Sequence, residues 1–264
     1  MTTNRPIRIG VQLQPQHADY RMIRDAVLRA EDLGVDIAFN WDHFYPLNGD
    51  PDGKHFECWT MLGAWAEQTE RVEIGALVSG GGYRNPDLLA DMARTVDHIS
   101  GGRLIFGIGG GWFEKDYDEY GYPFGSPGSR LKLLGENLAR ITARWDRLNP
   151  PPIRPIPVLI GGGGERKTLR LVARYGTIWH AFGGPETQAR KAAILAEHCA
   201  AAGRDPGRIE RSTAAPRGGA ADAKVLLDLG VTLFTIGVSG PDYDLGVVPE
   251  WVKWRNARNK DREQ

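Results

Sequence analysis

Cysteine is nearly absent: among 264 residues only Cys58 and Cys199 occur. They offer no zinc-type spacing and no disulfide framework, so each reads as a free thiol. An excess of charge of either sign is missing too, because 33 Lys and Arg balance 33 Asp and Glu. With no net field, neither nucleic acid nor an anionic membrane is an expected partner, and any attraction for an anion must be local. The apolar runs fall well short of the ~20 residues that span a bilayer. The opening Met-Thr-Thr-Asn-Arg-Pro lacks the apolar core of a secretory signal, and a cytoplasmic protein is expected. No Ser/His/Asp order or His/Cys/Glu cluster stands out, which argues against hydrolysis through a nucleophile or zinc and leaves no metal site expected.

Glycine, by contrast, is plentiful and clustered. In residues 157–172 a short apolar run after Pro157 reads as a buried strand, and Gly161, Gly162, Gly163 and Gly164 then open an amphipathic helix. Residues without side chains let the backbone approach a ligand closely. The unpaired N–H groups of a helix start, aided by the helix dipole, attract an anion, and Arg166 and Lys167 add cations nearby. The pattern predicts a phosphate cradle. It is neither a P-loop nor the spaced-glycine dinucleotide motif. The alternative is a tight turn that binds nothing, but a simple turn rarely needs four glycines.

Hydrophobic periodicity alternates from end to end. Strands are predicted at residues 7–13, 35–39, 72–78, 104–106, 157–160, 177–179, 209–213 and 231–237. Helices are predicted at 19–33, 57–68, 85–99, 130–145, 165–175, 186–202 and 248–259, with a short one between the last two strands. Residues 107–129 read as a long loop. Eight strand–helix units over residues 1–264, with no break in composition, argue for one (β/α)8 TIM barrel rather than a doubly wound sheet. In that fold the loops after the strands build the active site. The chemically active residues fall after strands two to five, on that one face.

After strand two, Asp42-His43 offers a group able to exchange a proton near neutral pH. Taken alone, a loop histidine tied to its own backbone explains it better. After strand three, Ser79-Gly-Gly-Gly-Tyr-Arg-Asn-Pro86 is either a close-approach surface or a flexible connection. After strand four, Gly107-Ile-Gly109-Gly110-Gly111 precedes Trp112 and Phe113, which either wall an apolar ring or cap the core. His180 follows strand six and could face the same mouth.

These motifs together resemble the bacterial luciferase-like oxidoreductases, specifically the members dependent on the deazaflavin coenzyme F420. The similarity rests on Ile-Ser-Gly-Gly-Arg-Leu-Ile-Phe-Gly-Ile-Gly-Gly-Gly-Trp-Phe-Glu at 99–114, continuing to Tyr-Gly-Tyr-Pro-Phe at 120–124. Asp-His-Phe at 42–44, Tyr-Arg-Asn-Pro at 83–86 and the tetraglycine tract occur in the family's order. The resemblance implies hydride exchange between the deazaflavin and a small-molecule substrate, with His43 catalytic beside the ring and Asp42 a coenzyme contact. It implies a non-proline cis peptide between Ala76 and Leu77 behind the ring, and Ser79 as a polar contact. Gly109 and Gly110 would line the coenzyme tail, and Gly161, Gly162, Gly163, Gly164 and Arg166 would hold its phosphate.

One departure matters. Where the family's sugar-phosphate dehydrogenases carry a catalytic glutamate, this chain has Trp112, and Glu114 two residues later is no assured substitute. A more apolar substrate is expected. An FMN-dependent luciferase-like monooxygenase and a non-catalytic coenzyme-binding barrel are the competing readings, since a phosphate cradle serves any of the three. A homodimer is expected by resemblance, with Trp59 and Trp65 either at its interface or in the core.

Overall fold

The computed structural model describes residues 5–263. The strands in chain order are β1 (Arg8–Leu13), β2 (Ile37–Asn40), β3 (Glu73–Ala76), β4 (Ser79–Gly80), β5 (Leu104–Gly109), β6 (Val158–Gly161), β7 (Ile178–His180), β8 (Glu210–Ala214) and β9 (Val231–Val238). All are parallel, in the order β3-β2-β1-β9-β8-β7-β6-β5-β4, and β3 also pairs with β5 to close the ring. Ile74 of β3 lies opposite Leu104, and Ser79 of β4 lies opposite Ile108, so both segments ride on β5 as halves of one stave. The result is the expected (β/α)8 TIM barrel.

Burial on both faces explains why these strands read as continuous apolar runs rather than alternating ones. Inside the ring, Ile37, Phe39, Ile105, Leu159, Ile178 and Leu233 pack on one another. Outside it, residues such as Ile9, Val11, Phe106, Ile108 and Phe234 pack against the helices. Those helices are α1 (Tyr20–Asp32), α2 (Cys58–Gln68), α3 (Pro86–Ile99), α4 (Glu114–Glu119), α5 (Pro127–Trp145), α6 (Thr168–Tyr175), α7 (Pro185–Ala201), α8 (Ala223–Asp228) and α9 (Val248–Glu263). Their starts are chemically marked. The Glu57 carboxylate accepts from the amides of Trp59 and Thr60, and the Asn85 side chain caps α3 ahead of Pro86.

The predicted strand at 72–78 is split into β3 and β4, and the one at 104–106 runs on to Gly109; three further features differ from the sequence reading. The loop predicted at 107–129 contains α4, and α5 begins at Pro127 because Ser126 and Ser129 cap each other's backbone amides. The helix after the tetraglycine starts at Thr168 rather than at Glu165. Finally, the non-proline cis peptide is Leu77-Val78, one bond beyond the expected one between Ala76 and Leu77. The Leu77 amide still donates to the Asn40 carbonyl at 2.8 Å, so the ladder to β2 holds Leu77 and the chain departs after it.

The N-terminal end of the barrel is tightly cross-linked. Arg8 of β1 pairs with Glu73 at the start of β3 and with Glu210 at the start of β8, and Arg154 reaches Glu73 at 2.7 Å. Arg103 donates all five of its N–H groups: to the carbonyls of Ser100, Val72, Ala66 and Thr69 and to the Thr69 hydroxyl, at 2.7–2.8 Å.

Candidate active site

At the opposite end, beyond the C-terminal ends of the strands, lies a cavity of about 640 Å³. Of the residues singled out in the sequence, His43, Asp42, Leu77, Ser79, Gly109, Gly110, Gly161, Gly162 and Gly163 line it. Ala76, Gly164 and Arg166 do not. Ala76 is in the core, and Arg166 is exposed on the turn ahead of α6.

His43, on the loop after β2, stands in a built environment. Its Nδ1 lies 2.7 Å from Oδ2 of Asp116, a fully buried carboxylate on α4. Asp116 also accepts from the amides of Phe44 (3.0 Å) and Tyr45 (3.2 Å) and from the Tyr83 hydroxyl (2.9 Å). A carboxylate surrounded by donors has no proton to give, so Nδ1 carries the hydrogen and Nε2 is the free nitrogen. Among the described residues Nε2 has no hydrogen-bond partner. The rings of Trp41, Trp112 and Phe113 stand edge-on around the imidazole, with centroids 5.6–6.0 Å away. Glu114, the substitute considered for the missing acid, is exposed and off the cavity. The acid that reaches His43 is Asp116, hidden in a stretch that looked like loop.

Asp42 faces inward to a different task. Its carboxylate takes both arms of Arg84, at 2.6 and 3.0 Å, and the Gly80 amide at 3.2 Å, while Arg84 also pairs with Glu57. Burial pushes the Asp42 carboxyl up from its ordinary value, and the Arg84 fork pulls it back down. Asp42 therefore ties the strand-two and strand-three loops together. Ser79 is similarly engaged, its hydroxyl accepting from the Trp59 indole at 3.0 Å. That bond places Trp59 in the core, at 3% exposure, and Trp65 is fully buried.

Two glycines at the cavity owe their identity to a neighbour. A Cβ on Gly109 or Gly161 would stand 2.7 or 2.9 Å from Val78, so their bareness makes room for the residue after the cis peptide. Gly163 is different, because a Cβ there would lie 2.2 Å from Nζ of Lys191 on α7. The Lys191 ammonium thus lies against the tetraglycine, and no carboxylate pairs with it among the described residues. The amides of Gly163 and Gly164 likewise donate to no other described residue. Bare backbone donors beside an unpaired cation form a donor set suited to a phosphate. Sequence reasoning missed Lys191, which sits 27 positions beyond Gly164 within a helix and carries no local signal.

His180 also lines the cavity, with Nδ1 2.9 Å from the Ser212 hydroxyl. Burial lowers its pKa to about 4. His55 is lowered to about 4 as well, chiefly by burial. At the rim Trp112 and Phe182 are 63% and 73% exposed. Among the described residues no group of three or more His, Cys, Asp or Glu could hold a metal, and no helix is long and apolar enough to cross a membrane.

Comparison with known proteins identifies the family and the fold. A Mycobacterium tuberculosis protein of uncharacterised function is 30% identical over 184 residues, covering 61% of this chain and 64% of its own length. The F420-dependent glucose-6-phosphate dehydrogenase of Amycolatopsis mediterranei is 28% identical over 188 residues, covering 64% of this chain and 54% of the enzyme. The matches thus span 54% to 64% of the length of those relatives. In fold, an F420-dependent secondary alcohol dehydrogenase solved with an F420–acetone adduct superposes with a TM-score of 0.82 at 17% identity, covering 94% of this chain and 99% of its own. The family profile described as luciferase-like monooxygenase matches residues 2–223. This chain belongs to the luciferase-like monooxygenase family.

Proposed function

We propose that this protein is a coenzyme F420-dependent oxidoreductase acting on a small organic substrate. The observation that carries the reading is one cavity holding both an imidazole with a free Nε2 and, across the barrel mouth, bare glycine amides next to an unpaired ammonium. Relatives at 28–29% identity that are named for F420-dependent sugar-phosphate oxidation favour the deazaflavin over FMN.

The residues fit such a coenzyme. Gly163, Gly164 and Lys191 would hold its phosphate, with Gly161 and Gly162 leaving the backbone open beside them. Leu77, Val78, Gly109 and Gly110 would back its ring. When bound, the deazaflavin supplies hydride exchange, chemistry no side chain offers. The protein's share is positioning and exclusion of water. Trp41, Trp112 and Phe113 wall the imidazole, and Asp116 fixes its orientation, so Nε2 can hold or pass a proton as charge changes next to it. Trp112 stands where an acid would serve a sugar substrate, and with Phe182 it gives the rim an apolar character. A less polar substrate than a sugar phosphate is the better fit.

Titration of the apo-protein with F420 and FMN, followed by fluorescence, tests the reading. F420 should bind at micromolar concentration or below, and FMN binding without any deazaflavin response would overturn it. His43→Ala should then reduce turnover about 100-fold or more while leaving coenzyme affinity within a few-fold. Unchanged turnover would remove His43 from the mechanism.

A further inference from the structure

The cavity holds a second imidazole that the chemistry at His43 does not use. Within β7, Ile178 packs inside the ring, and strand alternation turns His180, two residues on, to the same inner face. His180 is 4% exposed and lines the cavity. Ser212 of β8 lies beside it in register, with its hydroxyl 2.9 Å from Nδ1. That buried hydroxyl has no other hydrogen-bond partner among the described residues, so it keeps its hydrogen bonded by donating to Nδ1. The ring hydrogen then stands on Nε2. Nε2 has no partner among the described residues, yet it is not sealed in the core and opens on the cavity. Phe182 stands edge-on to the ring, with centroids 5.3 Å apart.

Charge says what such a donor recognises. Burial keeps the imidazole neutral down to about pH 4. Of the Asp, Arg and Lys residues lining the cavity, Asp42 is held by Arg84, and Arg130 donates to the carbonyls of Gly111, Phe124 and Gly125. That leaves Lys191, which lies against Gly163. An anion therefore belongs at Lys191, and a neutral oxygen at His180. The eight staves, with β3 and β4 counted as one, place β7 across the ring from β2, the strand that leads to His43. The two imidazoles thus border one cavity from opposite sides.

We propose that His180 selects the substrate, its Nε2–H donating to an uncharged carbonyl or hydroxyl oxygen from the side of the cavity opposite His43. The proposal rests on the oxidoreductase reading above and deepens it by naming a substrate class. That class is a neutral, oxygen-bearing organic molecule rather than a carboxylate or a phosphate. Ser212 is the positioning residue, because its hydroxyl sets which ring nitrogen carries the hydrogen.

The test is nitrogen-15 NMR of the F420-loaded protein, labelled at histidine and titrated with cyclohexanone or cyclohexanecarboxylate. Before either is added, the His180 ring should carry its hydrogen on Nε2. Cyclohexanone should move that Nε2–H signal and should bind about tenfold more weakly to His180→Leu. His180→Gln, which keeps an N–H donor, should stay within about threefold of native affinity. Cyclohexanecarboxylate, the same ring carrying a charge, should leave the signal in place. Unchanged F420 affinity in His180→Leu reports that its barrel is folded, and if that variant does not fold the native spectra decide. A native signal unmoved by cyclohexanone, one moved by the carboxylate instead, or an Nδ1–H tautomer would each overturn the proposal. Equal cyclohexanone affinity in native protein and folded His180→Leu would do the same. A signal moved by F420 itself and then indifferent to cyclohexanone would hand His180 to the coenzyme. If F420 does not load, the coenzyme reading falls alone, and the same titration of the apo-protein decides for His180.

Discussion

The two ends of this barrel use the same ingredients, glycine and basic side chains, to opposite ends. At the N-terminal end of β5, Gly101 and Gly102 adopt positive φ and let Arg103 fold back, where every one of its N–H groups finds an acceptor. At the C-terminal end of β6, the amides of Gly163 and Gly164 and the Lys191 ammonium are left without acceptors among the described residues. Glycine beside a cation therefore says little until the donors are counted. Where they are all used, the motif holds the fold; where they are spare and stand at a cavity, as at Gly163 and Lys191, the motif has donors to offer a ligand. The aromatic residues repeat the contrast, with Trp65 and Trp179 fully buried while Trp112 and Phe182 stand exposed at the mouth.

Breaking the closed end should cost the most. Arg103→Ala strips donors from three carbonyls around the C-terminal end of α2, and from the one at Ser100. Several polar groups left short of partners, together with the loss of a cation near a helix C-terminus, should destabilise the chain by about 4 kcal/mol. Urea unfolding measures this directly. The folded fraction should bind coenzyme with unchanged affinity. A variant of native stability and weakened coenzyme binding would reverse the assignment of the two ends.

Acid should distinguish the ends by attacking the open one. His180 lines the cavity and keeps its proton off down to about pH 4, whereas an unfolded histidine takes one up near 6.5. Between those values the unfolded chain binds more protons, so stability falls as pH drops through the window and is flat above it. The full loss from His180 is about 3 kcal/mol. His55 adds in the same direction. Stability measured from pH 8 to 4 should show this slope, and His180→Gln should make it markedly shallower, leaving the part due to His55. An equally steep slope in that variant would place the acid sensitivity elsewhere.

The barrel itself was legible because its strands are buried on both faces and punctuated by glycine and proline, a local signal that survives without coordinates. The position of His43 at the mouth followed from that topology and the position of its strand. Its partner did not. Asp116 sits in a six-residue helix flanked by aromatics, too short to show a period, and what selects it from Glu114, Asp118 and Glu119 is only the rotation of that turn. Lys191 was hidden for a related reason, since on α7 it is one charged residue among many until the helix is laid against Gly163. The Ile-Ser-Gly-Gly-Arg stretch, which carried much of the resemblance, turns out to serve the closed end, so it spoke for the family and not for the site.

The smallest expected effect concerns how the open end keeps one nitrogen free. Asp116 accepts from two backbone amides and from Tyr83, and can only accept from His43 as well, which puts the imidazole hydrogen on Nδ1. In Asp116→Asn the carbonyl oxygen can still serve the amides of Phe44 and Tyr45, but the amide nitrogen then faces His43 and donates. The ring must accept at Nδ1, and in the neutral form its hydrogen moves to Nε2, the atom proposed to exchange a proton. Turnover should fall about 30-fold, a barrier increase of about 2 kcal/mol. Nitrogen-15 NMR of labelled histidine should show the Nδ1–H tautomer in the native protein and the Nε2–H tautomer in the variant. A purely structural role would lower stability without exchanging the tautomers. A native protein already in the Nε2–H form would show that the carboxylate does not set the imidazole, and the mouth of the barrel would lose its claim to a prepared base.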